Sequence, residues 1–305
     1  MKRLVIVYST RSTRFDEVEK KVIEKARKLA GWMICKFEVQ EVPVRENAAK
    51  LAKILRKDDL VLSAGGDGTA TMCLNAIMKS GVVATLAVMP FGNFNDYVES
   101  LGEMSLARLT RRFEEGRWSE FYPMEVKVNE KHYGYAGMYF TVGLMAEAER
   151  TFKDPKVRAK LVRARNRMSF SARKLFGWYL KNKRRKDFLP ADLKINGKNV
   201  VNLTTDYVAM NGKSMAGVVP GAGWFDEAGV FWSGTMRNRS FWRMFAKFVK
   251  ATEGELPGGE TSCDVLEFAK PCKLFVHAEG EGEELKDVSK IEIKKNGKAL
   301  RVIRV

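Results

Sequence analysis

Apolar and polar positions follow two different rhythms along this chain, and the change between them falls near Trp118. In the first hundred residues, short apolar runs alternate with amphipathic stretches. Leu4–Tyr8 reads as an apolar strand and 16–30 as a helix, with Val18, Val22, Ala26 and Leu29 on one face and Gly31 as its stop. Residues 33–39 predict a second strand, and 46–56 a helix with Ala48, Leu51, Ala52 and Leu55 inward. A third strand at 60–64 runs into a Gly-rich turn and a helix over about 69–79. A fourth strand at 82–89 precedes a short helix at 95–101 that stops at Gly102. Strands alternating with helices of this length predict a parallel sheet covered on both faces.

Beyond Trp118 the period shortens to two. Met124–Val128 alternates strictly, and short strand-like runs follow at 208–210, 230–232, 265–268 and 273–276. Asn196-Gly197 and Asn296-Gly297 each lie between apolar runs, 192–195 with 199–203 and 291–293 with 299–303, and each predicts a hairpin. The fold class expected is therefore an α/β N-terminal domain with a parallel sheet, followed by an antiparallel β-sandwich. The boundaries expected are 1–120 for the first domain and 121–292 for the second, with a helical insertion at 147–186.

Composition narrows the classes. With 305 residues there is room for two modest cores. No apolar run approaches ~18 residues, so no membrane-spanning helix is expected, and the basic start before Leu4 leads into a run too short for a signal peptide. Cys35, Cys73, Cys263 and Cys272 show no metal-type spacing and read as reduced core residues of a cytoplasmic protein. His132 and His277 are too far apart in sequence for a metal cluster, and His277 reads as structural. The net charge of +17 changes the picture more. It points to an anionic partner, against the plainer reading of a charged, soluble surface. The excess is local: residues 153–186 hold fourteen Lys or Arg and a single acid, Asp154.

Two loops carry candidate chemistry. Gly65-Gly66-Asp67-Gly68-Thr69 stands between a buried strand and a helix, where glycines let main-chain N–H groups approach an anion and the helix start favours negative charge. A tight turn with Thr69 as a simple helix cap is the bland alternative. After the next strand comes Pro90-Phe91-Gly92-Asn93-Phe94-Asn95-Asp96, which a parallel sheet puts at the same carboxyl edge, where ligands of open α/β sheets bind. Asp67 and Asp96 would then face one crevice, unless Asn95-Asp96 serves only as a cap.

Taken together, the GGDGT loop and P-x-G-x-x-N-D resemble the diacylglycerol kinase catalytic family, within the wider group that includes NAD kinases and sphingosine kinases. Asn75 is similar to the asparagine that family carries in the helix after GGDGT. The resemblance implies ATP and Mg2+ as cofactors. Ser9, Thr10, Arg11, Ser12 and Thr13 stand where the family has its Asn-Pro-x-Ser-Gly loop, and Asn93 stands where it has a threonine. Gly65, Gly66, Gly68, Thr69, Gly92, Asn93 and Asn95 would complete the nucleotide contacts, with Asp67 and Asp96 organising metal and phosphates. Thr141–Glu147 is similar to the family's Gly-x-Gly-Phe-Asp-Ala segment, with Met145 in place of its aspartate. Asp226-Glu227-Ala228-Gly229 resembles its Asp-Asp-Gly metal segment, which makes Asp226 a further metal candidate. Ala278-Glu279-Gly280-Glu281 resembles its Asp-Gly-Glu, and implies Glu281 as the base toward a lipid hydroxyl. It also implies that 293–305 return to the first domain.

The basic segment fits such a substrate. Phe170, Leu175, Phe176, Trp178, Tyr179 and Leu180 lie among its cations, a mixture suited to an anionic bilayer surface. A solvated helix with a core-facing side is the alternative. No nucleic-acid-binding motif is present, so no nucleic acid is expected, and a homodimer is compatible with the sequence. Residues 240–250 read as a cationic helix packed on the core. The expected function is ATP-dependent phosphorylation of a lipid alcohol, diacylglycerol above others, at the inner face of the membrane. Its rivals are an NAD kinase-like soluble enzyme and a membrane-binding module that has lost phosphotransfer.

Overall fold

A computed structural model describes residues 1–10, 14–41, 43–92, 95–154, 156–157, 160, 167–182, 189–190, 192–200, 204–215, 219–220, 228–237, 258–278, 281–295 and 297–305. The chain opens with β1 (Lys2–Tyr8). A helical run follows, from α1 (Phe15–Val18) through a π turn (Glu19–Ile23) into α2 (Glu24–Ala26). Then come β2 (Trp32–Glu38), α3 (Val44–Ile54), β3 (Asp59–Gly65), α4 (Asp67–Ser80), β4 (Thr85–Pro90) and α5 (Asp96–Leu101). Leu4, Val5, Ile6 and Val7 are all fully buried, as are Leu60, Val61 and Leu62. Both faces of these strands are covered, as continuous apolar runs in a parallel sheet require. Strands β5 (Ser119–Phe121) and β18 (Leu300–Val302) extend one side, and the sheet order is β2-β1-β3-β4-β18-β5.

One helix was not legible in the pattern. Helix α6 (Leu106–Glu114) buries Leu106 and Leu109 and is started by Ser105, whose hydroxyl accepts from the Arg108 amide. Four arginines between 108 and 117 hide that narrow apolar stripe.

The second domain is antiparallel. Its strands are β6 (Met124–Val128), β7 (Lys131–Ala136), β8 (Tyr139–Gly143), β9 (Lys194–Ile195), β10 (Lys198–Asn199), β11 (Thr204–Met210), β14 (Phe231–Arg237), β15 (Gly259–Thr261), β16 (Cys263–Ala278) and β17 (Glu281–Lys294). They bond in the order β15-β14-β11-β8-β16-β17-β6-β7, with β9 and β10 attached beside β16. A separate small ribbon pairs β12 (Ser214–Met215) with β13 (Val219–Pro220). One face buries Met124, Val126, Phe140, Val142, Tyr207, Ala209, Leu274, Val276, Ile291 and Ile293. Helix α7 (Leu144–Lys153) ends where the basic segment begins and α8 (Arg167–Asn182) falls within it, while 240–250 lies outside the described residues.

The two Asn-Gly signals have different fates. Asn196 and Gly197 both take positive φ, 52° and 74°, and join β9 to β10 as a tight hairpin. The hairpin expected at Asn296-Gly297 does not form. Its second arm, β18, leaves the sheet, pairs in parallel with β4 and antiparallel with β5, and buries Leu300, Val302 and Ile303 in the first domain. Burial of three apolar side chains there outweighs what a local turn offers. The Val305 amide then donates to the Leu101 carbonyl at 2.8 Å. The acidic Glu283-Glu284 stretch lies on β17, paired with Val276 and Phe275.

The two domains share packing and hydrogen bonds. Tyr135, Met138, Tyr139, Val208, Met210 and Trp232 of the second domain join the same buried cluster as Val61, Leu74 and Tyr97 of the first. Strand β7 is a sheet edge, and an edge leaves main-chain groups to be met by something else. Here Asn75 of α4 meets them. Its Oδ1 accepts from the Tyr135 amide at 2.7 Å, and its Nδ2 donates to the Tyr135 carbonyl at 2.8 Å. Gly134 leaves room, since a Cβ there would lie 3.1 Å from Asn75 Oδ1. Replacing Asn75 by Ala strands both groups, and the expected loss is about 2–4 kcal/mol of stability. Urea unfolding of Asn75→Ala checks this; an unchanged midpoint contradicts the fastening role.

Candidate functional site

The carboxyl ends of β1, β3 and β4 lie side by side, because these strands are parallel neighbours. The loop after β3 is Gly66, and α4 starts at once with Asp67. The loop after β4 contains Phe91 and Gly92 and ends at Asn95, which precedes α5. The two loops touch through their backbones. A Cβ built on Gly92 would lie 2.4 Å from the Gly66 Cα, and one built on Gly66 would lie 3.1 Å from the Gly92 Cα. The Phe91 amide also donates to the Gly65 carbonyl at 3.0 Å.

Asp67 joins the loops a second time. Its Oδ2 accepts from the Asn95 amide at 2.9 Å and its Oδ1 from the Tyr97 amide at 3.2 Å. It thereby caps α5, a task that the sequence offers to Asn95 or Asp96. Asn95 instead takes a left-handed conformation, φ 80°, and its own Oδ1 accepts from the Gly92 amide at 3.1 Å. Asp96 is the first residue of α5 and is buried, 1% exposed. Thr69 does not cap α4; its side chain lies over Gly65, where a Cβ would come within 2.4 Å of its hydroxyl.

The arrangement suits an anion. The Thr69 and Ala70 amides donate to the Gly66 carbonyl at 3.0 and 3.1 Å, and the helix start carries positive partial charge. Glycines at 65, 66 and 92 leave the cradle free of side chains. Ser9 and Thr10 lie just past β1, and the Thr10 hydroxyl donates to Glu38 Oε1 at 2.7 Å at the end of β2. Arg14 was not singled out by sequence. Its Nη1 donates to the Pro90 carbonyl at 2.9 Å, and its other nitrogens pair with Glu17. The Arg14 guanidinium, then the Lys21 ammonium, hold the Glu17 carboxyl down to about 2. A lone cation between a strand end and a helix is a weak signal, and only the fold brings it to Pro90.

Other candidates stand apart. Glu281 is the first residue of β17, paired with Ala278 in the other sheet. Arg11, Ser12, Thr13, Asn93 and Asp226 lie outside the described residues. No group of three or more His, Cys, Asp or Glu that could hold a metal ion occurs among the described residues. A divalent cation at Asp67 and Asp96 would thus draw most of its ligands from phosphate oxygens and water, which is how Mg2+ is commonly held. Of the cysteines, Cys73 is buried, Cys35 and Cys272 are half-buried and pack against the two cores, and Cys263 is exposed, so the core reading fails at Cys263. His277 is buried, with its ring 5.5 Å from that of Tyr139.

Residues 3–121, which contain both loops, match the family model for the diacylglycerol kinase catalytic domain. The likeness to that family is confined to the first domain. It is 36% identical over 104 residues to a diacylglycerol kinase of Bacillus subtilis (strain 168), covering 33% of this chain and 34% of that protein. The chain thus matches about a third of that curated relative's length. A crystal structure of a diacylglycerol kinase from Bacillus anthracis str. Sterne superposes on 100% of this chain and 97% of its own, with TM-score 0.64 at 18% identity. Another structure from the same source gives 0.65 at the same identity. At that identity the likeness concerns the fold alone, an α/β domain followed by an antiparallel β-rich one.

A carboxyl reaches the Met145 backbone from the neighbouring strand. Asp206 lies on β11 opposite Gly143, is 2% exposed, and accepts from the Met145 amide at 2.6 Å and the Thr205 hydroxyl at 2.8 Å. Burial pushes its pKa up to about 7, against the lowering effect of those two hydrogen bonds.

This geometry makes two expectations testable. Gly92→Ala forces a Cβ into the Gly66 backbone and should abolish nucleotide binding by calorimetry; wild-type affinity in that variant contradicts a backbone-on-backbone cradle. For Asp206, the folded pKa lies above the unfolded value near 4, so the folded state holds a proton that the unfolded state has lost. Its contribution to stability is full below about pH 4, falls as pH rises toward 7 and is gone above it. Asp206→Asn keeps an acceptor for the Met145 amide, and its advantage over wild type in denaturant midpoint should grow between pH 4 and 7 and then level off. A difference independent of pH contradicts this account.

Proposed function

We propose that this chain is an ATP-dependent kinase of a lipid alcohol, with diacylglycerol the favoured acceptor and phosphatidic acid the product. The observation that carries the reading is the paired cradle, Gly66 against Gly92 with Asp67 bound to the amides of Asn95 and Tyr97. The match of residues 3–121 to the family model for the diacylglycerol kinase catalytic domain supports the same reading.

The ATP phosphates would lie against the amides at the start of α4, with Gly65, Gly66, Gly68, Thr69 and Gly92 around them and Ser9–Thr13 on the nucleoside side. Mg2+ bound with the nucleotide supplies charge neutralisation on the phosphate oxygens. Asp67 would keep the two loops in register while Asp96 supplies negative charge beside the metal. Glu281 would accept the proton of the acceptor hydroxyl as its oxygen attacks the γ-phosphorus and ADP leaves.

The acceptor would be met at an anionic bilayer on the inner membrane face. Phe176 and Leu180, each 42% exposed, lie one turn apart on α8, near exposed Arg173 and Lys181. Apolar side chains among cations suit the headgroup boundary. No helix among the described residues is long and apolar enough to cross a membrane, and α8 would dock on the bilayer from its surface.

The test is label transfer from ATP to diacylglycerol in vesicles with and without phosphatidylserine, with NAD as a parallel acceptor. Wild type is expected to label diacylglycerol, faster on anionic vesicles. Glu281→Gln should lose ~10^2-fold or more in kcat, and Phe176→Ser with Leu180→Ser should lose the preference for anionic vesicles. Label on NAD alone would favour the soluble kinase. ATP binding without transfer to any extracted lipid would favour a module that has lost catalysis.

A further inference from the structure

Arg45 occupies the first turn of α3, where a cation works against the helix dipole and local stability gives no reason for it. Its side chain reaches across to the second domain. The guanidinium lies 3.6 Å from the centroid of the Tyr133 ring on β7. Its Nη2 donates to Glu283 Oε1 on β17 at 2.8 Å. One arginine of the first domain therefore touches two strands of the other sheet that are separated by β6.

The position of that contact gives it meaning. Helix α3 follows β2, so its first turn lies at the carboxyl edge of the parallel sheet, the edge that also carries Gly66 and Gly92. Glu283 is two residues past Glu281 on the same strand. We propose that Arg45 is a positioning residue, holding the start of β17 against the nucleotide edge so that the acceptor base meets the bound phosphates. This role rests on the reading of Glu281 as the base.

Magnitudes separate the role from a merely stabilising one. Both partners are about half exposed, 51% for the Arg45 side chain and 43% for Glu283. An ion pair of that kind contributes little to folding, and stacking of an exposed cation on an aromatic ring adds only a little more. Phosphoryl transfer is far more sensitive, since a misplacement of about 1 Å can cost ~10^2-fold in rate. Loss of the contact should therefore leave the fold nearly intact and slow the chemical step.

The experiment compares full-length wild type with Arg45→Ala, Arg45→Lys, Glu283→Arg and the charge-exchanged pair Arg45→Glu with Glu283→Arg. Two readouts are taken: steady-state transfer from ATP to diacylglycerol vesicles, and amide hydrogen exchange over 281–285. Arg45→Ala is expected to lower kcat ~10-fold or more, leave KM for ATP within about twofold, and speed exchange over 281–285 several-fold at an unchanged melting temperature. Arg45→Lys keeps the cation but not the planar fork and should recover only part of kcat. The exchanged pair should recover more than Glu283→Arg alone. Unchanged kcat in Arg45→Ala, or a loss matched by a fall in melting temperature, overturns the proposal. If wild type transfers no label to any lipid, the kinase reading fails by itself, and exchange then decides: rates over 281–285 unchanged in Arg45→Ala refute the contact's holding role as well.

Discussion

The two hydrogen bonds from the amides of Asn95 and Tyr97 to the Asp67 carboxylate are the constraint on which the rest of this site depends. They connect the start of one helix to the start of another, across two loops that otherwise meet only through backbone contacts. The glycines make this geometry reachable, because any Cβ at 92 would push the Gly66 backbone away. The carboxylate then fixes the separation that the glycines allow. An anionic cap at the start of α5 also places negative charge where that helix's dipole favours it. Structure and electrostatics thus agree on aspartate at 67, before any metal or phosphate binds.

That clamp is buttressed by the second domain. Tyr97, whose amide binds Asp67, lies over Gly137, where a Cβ would fall 2.2 Å from the Tyr97 hydroxyl. The Asn211 side chain donates to the Gly137 carbonyl at 2.7 Å, and the Lys213 amide donates to Ser100 of α5 at 3.1 Å. Asn75, on one face of α4, holds strand β7. Both helices that frame the cradle are therefore fastened to the β-rich domain, and a change in the packing between domains reaches the phosphate loops directly.

How much of this was legible in the sequence depended on where each constraint lives. Continuous apolar runs at 4–8 and 60–64 announced a buried parallel sheet, and Gly65–Thr69 with Pro90–Asp96 announced its ligand edge, because glycine spacing there is set by backbone geometry. The dual use of Asp67 was not legible. Nothing in the sequence says that a residue at 67 accepts from amides at 95 and 97, and local capping rules pointed to Asn95 instead. The false hairpin at Asn296-Gly297 failed for a related reason: turn chemistry is local, while the burial that draws Leu300 and Val302 to β4 is not. Arg14 and Arg45 went unremarked among 54 basic residues, since only the fold shows which cations reach across the chain.

The same distinction accounts for where sequence similarity stops. The family match ends at residue 121, while likeness of fold runs through the whole chain at 18% identity. A cradle in which backbone touches backbone has few sequence solutions: glycine at the contact, a short anionic side chain at the clamp. An antiparallel sheet needs only apolar residues on alternate positions of its covered face, and many sequences supply those. The second sheet is accordingly free to change, and here the buried Asp206 binds the Met145 amide from the neighbouring strand. Divergence in that half leaves the backbone contact between Gly66 and Gly92 as it was. The physical expectation is a pair of loops held to few sequences, joined to a sheet whose sequence can vary widely.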